Sequence, residues 1–135
     1  MLLIDVDLFK DYNDGQCHPA VDACLKAIAT AVAQTCRRAG EFVARYGGEE
    51  FAVLLPGASA TDARATAEKV RKSAEALGIV HPASTVAGVV TVSIGVAWAA
   101  PGSRRTAARL LHTADQALYR AKQNGRNRVE SAALD

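Results

Sequence analysis

The sequence predicts an α+β fold: helices packed on a largely antiparallel central sheet. Three observations predict it. Apolar stretches with a period of two read as strands, a glycine-led segment between two of them reads as a hairpin, and three helical stripes separate the strands. The resulting order (strand, helix, hairpin, helix, strand, helix) and the hairpin argue against a doubly wound parallel sheet. At 135 residues, half of them apolar and 22% charged, the chain is one domain's worth with enough apolar surface for a packed core.

Taken in order, Met1 to Ile4 is a short apolar run ending in Asp5-Val6-Asp7, a strand with acids at its C-terminal edge. Pro19 suits the first turn of a helix. Val21, Leu25, Ile28, Val32 and Cys36 then form one apolar stripe, with Gly40 as the expected terminator. Glu41 to Tyr46 and Phe51 to Leu55 flank the tip Gly47-Gly48-Glu49-Glu50, and Pro56-Gly57 stops the second strand. Thr61 or Asp62 can cap a helix reaching about Leu77. Val89 to Trp98 alternates as a strand does. Thr106 to Asn124 carries the stripe Leu110, Leu111, Ala114, Leu118 and Ala121, and Val129 starts a final short strand.

Composition excludes several functions. Sixteen basic against fourteen acidic residues is too even a balance for nucleic acid or an anionic membrane as the main partner. No apolar stretch reaches the roughly 20 residues of a membrane span, and no basic segment precedes Leu2 as in a signal peptide. Three cysteines, Cys17, Cys24 and Cys36, make neither a disulfide framework nor a complete zinc set; buried thiols in a reducing cytoplasm are expected.

The chemistry lies in the acids. If the first strand and the hairpin are neighbours, Asp5 and Asp7 approach Glu49 and Glu50, and clustered carboxylates repel unless a cation sits between them. Hard oxygen ligands without nearby histidine or thiolate suit magnesium, with manganese as the alternative, and open positions on the ion accept phosphate oxygens. Each part also has an ordinary reading: solvated turn acids, turn glycines, and cations at a helix C-terminus complementing its dipole. Asp115, Tyr119 and Lys122 nevertheless share one face of the last helix, with Arg126 a turn further, as a triphosphate clamp requires.

Four motifs in order resemble the GGDEF diguanylate cyclase family in its Glu-containing variant. They are Asp5-Val6-Asp7-Leu8-Phe9-Lys10-Asp11-Tyr12-Asn13-Asp14, Arg45-Tyr46-Gly47-Gly48-Glu49-Glu50-Phe51, Ser93-Ile94-Gly95-Val96-Ala97, and Ala114 to Lys122 with Gly125-Arg126-Asn127. The resemblance implies a five-stranded nucleotidyl-cyclase-like (palm-like) core condensing two GTP into cyclic di-GMP and two pyrophosphates. It implies that Asp5, the Val6 carbonyl and Glu49 hold magnesium. Leu8, Phe9 and Lys10 would meet the phosphates, as would Lys122 and Arg126 from the other side. Asn13 and Asp22 would read guanine, with Arg45 facing bound nucleotide. Glu49 or Glu50 would accept the hydroxyl proton, and Lys10 joins them in the catalytic set. Turnover would require a homodimer, and a non-catalytic sensor of GTP or cyclic di-GMP is the alternative.

Departures from the family pattern bear on the expectations. The preceding helix and upstream regulatory region that family members carry are expected to be missing from residues 1–135, leaving open a membrane tether in a longer protein. Cys17-His18-Pro19-Ala20-Val21-Asp22 replaces a glycine-bearing segment, adding side chains near the base pocket. Arg38-Ala39-Gly40-Glu41 stands where the family's product-inhibition site has aspartate. Weak or no product binding is expected there, and any inhibition is expected at the cleft facing Arg45 and Asp22.

Overall fold

The computed structural model describes residues 1–134. Its elements are β1 (Leu2–Val6), α1 (Phe9–Gly15), α2 (His18–Thr35), β2 (Phe42–Arg45), β3 (Glu50–Leu54), α3 (Ala60–Ala76), β4 (Val92–Ala99), α4 (Ala107–Gln123) and β5 (Val129–Leu134). They form one five-stranded sheet in the order β2-β3-β1-β4-β5. The first three pairings are antiparallel, as expected, and α4 returns the chain so that β5 lies parallel to β4.

The apolar run of β1 is explained by its central place, since all five of its residues are buried between β3 and β4. Leu2, Ile4 and Val6 join Ile28 and Val32 of α2 and Ala67 and Val70 of α3 in the main core. Leu3 instead meets Ala114 and Leu118 of α4 on the other face. Alternation along the strand therefore turns Asp5 toward α4. Gly95 of β4 sets how closely that helix sits: a Cβ there would overlap the Ala114 carbonyl and the Leu118 backbone. The motif glycine thus fixes the seat of α4, and with it the position of Lys122.

Five local expectations are corrected. The short helix α1 was not anticipated, because seven residues are too few to display a stripe. α2 ends at Thr35 with Cys36 as its cap, not at Gly40; nothing beyond Cys36 continues the apolar face. Gly40, at φ 84°, belongs to the next turn, where the Glu41 amide donates to the Arg38 carbonyl. Ser59, rather than Thr61 or Asp62, caps α3, its hydroxyl accepting from the Asp62 amide at 3.1 Å. β4 starts at Val92, and Val89 makes only an isolated bridge to Val80. Cys24 and Cys36 are buried as expected, but Cys17 is exposed.

Candidate active site

The C-terminal end of β1, the hairpin tip and the end of α4 meet at one cleft of about 240 Å³. Asp5, Val6, Leu8, Phe9, Lys10, Glu49, Lys122 and Arg126, all named from the sequence, line it. The hairpin tip is tied to β1 by the Val6 amide, which donates to the Glu49 carbonyl at 3.2 Å. Arg45 closes the tip on itself. Its guanidinium donates to the Gly47 and Gly48 carbonyls, the shortest bond being 2.6 Å to Gly48.

Asp5 is only 7% exposed and pairs with Lys122, Nζ to Oδ2 at 3.0 Å. Burial pushes its carboxyl up to about 6. Lys122 opposes that rise, while the charges of Glu49 and Glu50 add to it. Among the described residues no three acid, histidine or cysteine side chains form a closed metal shell. An open magnesium site needs no more than one or two carboxylates, the remaining positions going to water and phosphate. Asp5 and Glu49 on one cleft, with hard oxygen atoms only, fit that requirement.

Asp7, two residues on, borders the same cleft, but at 3% exposure its carboxylate is engaged by other partners. It accepts hydrogen bonds from Thr91 Oγ1 (2.8 Å), Ser93 Oγ (2.6 Å) and the Asn127 amide (3.0 Å). Its carboxylate is committed to holding the turn after α4. That turn places Arg126 and Asn127 at φ 64° and 46°. From α3, Arg71 donates to Asn127 Oδ1 at 3.0 Å, and Asn127 Nδ2 donates to Glu75 at 3.2 Å. Arg126 is thus held in place by a buried acid and by α3.

Leu8 opens α1 in the left-handed region, at φ 53°. Its carbonyl accepts from the Tyr12 amide at 3.1 Å and lies 3.0 Å from His81 Nε2. Ser93 and Asn127 fall within quoted motifs, although their bonds to Asp7 were not foreseen. His81, Arg71 and Glu75 carried no sequence signal.

The remaining residues separate. Asp22 and Arg45 line a second groove of about 350 Å³ between α2 and the hairpin, with Leu25, Val43 and Phe51. Asn13 is exposed on α1 and does not line that groove. Glu50 lies with Leu3, Tyr46 and Asp115 in another depression beside α4, apart from Glu49. Glu41 Oε2 accepts from the Arg38 amide at 3.1 Å, so its carboxylate folds back onto its own turn.

Fold and cleft together define a nucleotidyl-cyclase-like domain whose sheet end gathers carboxylates and cations. The family described as "Diguanylate cyclase, GGDEF domain" matches residues 1–128, and the chain belongs to it. It is 43% identical over 129 residues to Diguanylate cyclase A of Treponema denticola, covering 96% of this chain and 34% of that protein. It is 40% identical over 134 residues to the response regulator PleD of Caulobacter vibrioides, covering 98% and 29%. Among solved structures, the GGDEF domain of DgcB from Caulobacter crescentus in complex with c-di-GMP superposes with a TM-score of 0.84 at 33% identity, covering 96% of this chain and 75% of that one. The active GGEEF domain of a diguanylate cyclase from Vibrio cholerae gives 0.80 at 30% identity, covering 99% and 82%. The chain spans about a third of the length of these curated relatives.

Proposed function

We propose that residues 1–135 are the catalytic domain of a diguanylate cyclase in bacterial second-messenger signalling, condensing two GTP into cyclic di-GMP and two pyrophosphates. The observation that carries this reading is the meeting of Asp5, Glu49, Lys10, Lys122 and Arg126 on one cleft. Magnesium or manganese, held by Asp5, the Val6 carbonyl and Glu49, supplies neutralisation of phosphate charge when bound. The Leu8, Phe9 and Lys10 backbone and the three cations grip the triphosphate, with Lys122 exchanging Asp5 for phosphate oxygens. Asp22 and Asn13 read the guanine edge. Arg45, bonded to the tip, borders the same groove as Asp22.

In the reaction, the 3′-oxygen of one GTP forms a bond to the α-phosphorus of the other as the bond to pyrophosphate breaks. Glu49 or Glu50 takes the hydroxyl proton. Lys10, Lys122 and Arg126 stabilise the charge developing on the phosphate oxygens. One cleft serves one GTP, so two copies face each other across a two-fold axis. Free thiols at Cys17, Cys24 and Cys36 accord with a cytoplasmic setting, and among the described residues no helix is long and apolar enough to cross a membrane. The back-folded Glu41 supports weak product binding at Arg38; relief of inhibition by Arg38→Ala with GTP binding intact would overturn that assignment.

The test is incubation of the artificially dimerised chain with magnesium and GTP or ATP, followed by chromatography of the products. Cyclic di-GMP from GTP supports a cyclase. GTP binding without turnover in the forced dimer assigns a sensor instead. Glu49→Gln is expected to abolish metal-dependent turnover, and an unchanged rate would remove Glu49 from the metal site.

A further inference from the structure

We infer that His81 is a positioning residue for nucleotide binding, acting through the Leu8 carbonyl to hold the backbone that meets the triphosphate. The inference rests on the cleft reading above. His81 is 1% exposed and lies 73 residues along the chain from Leu8, in the segment between α3 and β4. That segment is tied to itself around the ring: the His81 amide donates to the Gly88 carbonyl at 2.9 Å, its carbonyl accepts from the Ser84 amide, and Val80 bridges Val89.

Because a carbonyl only accepts, His81 Nε2 carries the proton it directs at Leu8. Nδ1 is buried with no hydrogen-bond partner. The ring packs edge-on against Tyr12 of α1, with centroids 5.2 Å apart. An apolar side chain would supply that packing without leaving a buried nitrogen unsatisfied. The Leu8 carbonyl already accepts from the Tyr12 amide, so the second bond adds little to α1 itself. What it does constrain is the orientation of a peptide in an uncommon left-handed conformation, at φ 53° and ψ 36°, immediately before Phe9 and Lys10. A rotation there would turn the cradle backbone while leaving Asp5 and Asp22 in place. His81 therefore acts first on how the triphosphate is held, and reaches the base only through Asn13 further along the same helix.

The test compares GTP with GMP, which shares the base but lacks the two outer phosphates. Affinities of the full chain for each are measured calorimetrically with magnesium present, for wild type, His81→Phe, His81→Gln and His81→Asn. Phenylalanine keeps the ring without a donor. Glutamine can place an N–H where Nε2 stands, and asparagine falls short of it. The expected result is an affinity for GTP about tenfold weaker in the Phe and Asn variants, the scale of one lost buried hydrogen bond. The loss for GMP is markedly smaller, and the Gln variant stays near wild type. Should the Phe variant fail to fold, the Gln and Asn pair decides. Equal losses for GTP and GMP, or equal behaviour of Gln and Asn, would overturn the role of His81. If wild type itself does not prefer GTP over GMP, the cleft reading falls first and His81 with it.

Discussion

Asp5 and Asp7 are both buried carboxylates at the end of one strand, yet their surroundings differ completely. Asp7 is met by two hydroxyls and a backbone amide, and so serves as a fixed part of the fold. Asp5 has one lysine and a nearby pair of glutamates, and burial raises its carboxyl to about 6. A carboxylate met by three donors has little capacity left for a cation, whereas one that is desolvated and incompletely balanced favours a cation beside it. Of two identical acids in one D-x-D, one is tied into the fold by three donors, and the other stays open to the metal-holding role proposed for it.

The largest expected effect separates them by activity. Asp5→Asn should lower magnesium-dependent turnover of the forced dimer by at least about a thousandfold, because the ligand charge is lost while the shape is kept. Retained turnover would erase the distinction. Asp7→Ala should act on the fold instead, costing about 3 kcal/mol in urea unfolding by leaving two buried hydroxyls and a half-buried amide unpaired. A loss below about 1 kcal/mol would show that water replaces those bonds easily.

A pH series sharpens the contrast. Asp5 titrates near 6 in the folded chain against an ordinary value of 3.8, so between those values the folded state holds more protons than the unfolded state. Its contribution to stability is fully present at low pH and is lost as pH rises through about 6. Relative to Asp5→Asn, the wild type should lose roughly 2 kcal/mol from about pH 4 to pH 7. A parallel pair of stability curves would exclude the raised value. The smallest effect belongs to Lys122→Met: removing the opposing cation should move the Asp5 titration, followed by carboxyl carbon NMR, further above 6. A downward movement would contradict the pairing.

Much of this was legible in the chain. The stripe of α2, the glycine-led hairpin and the run Leu110 to Ala121 express local periodicity, and each became the expected element. Contiguous motifs likewise named every residue that lines the cleft from the first strand, the hairpin tip and the last helix. Harder to see were elements too short to show a period, such as α1, and ends set by a cap or by the limit of the core, as at Ser59 and Thr35. Partnerships were harder still. Asp5 and Asp7 look alike on paper, and only the register opposite Glu50 and Ser93, with the approach of α4, separates them.

By itself the sequence determined the α+β class, the family membership that its four motifs announce, and the oxygen-rich, cation-flanked character of the cleft. Those properties reside in residue types and near-neighbour spacing. Tertiary structure alone decided that Asp7 is spent on Asn127, that Glu49 and Glu50 line different depressions, and that His81 reaches Leu8 across 73 positions. Such pairings depend on strand register and helix seating, in which one glycine at position 95 sets how closely α4 approaches the sheet. Distances of that kind are made when the chain closes on itself, and no local pattern contains them.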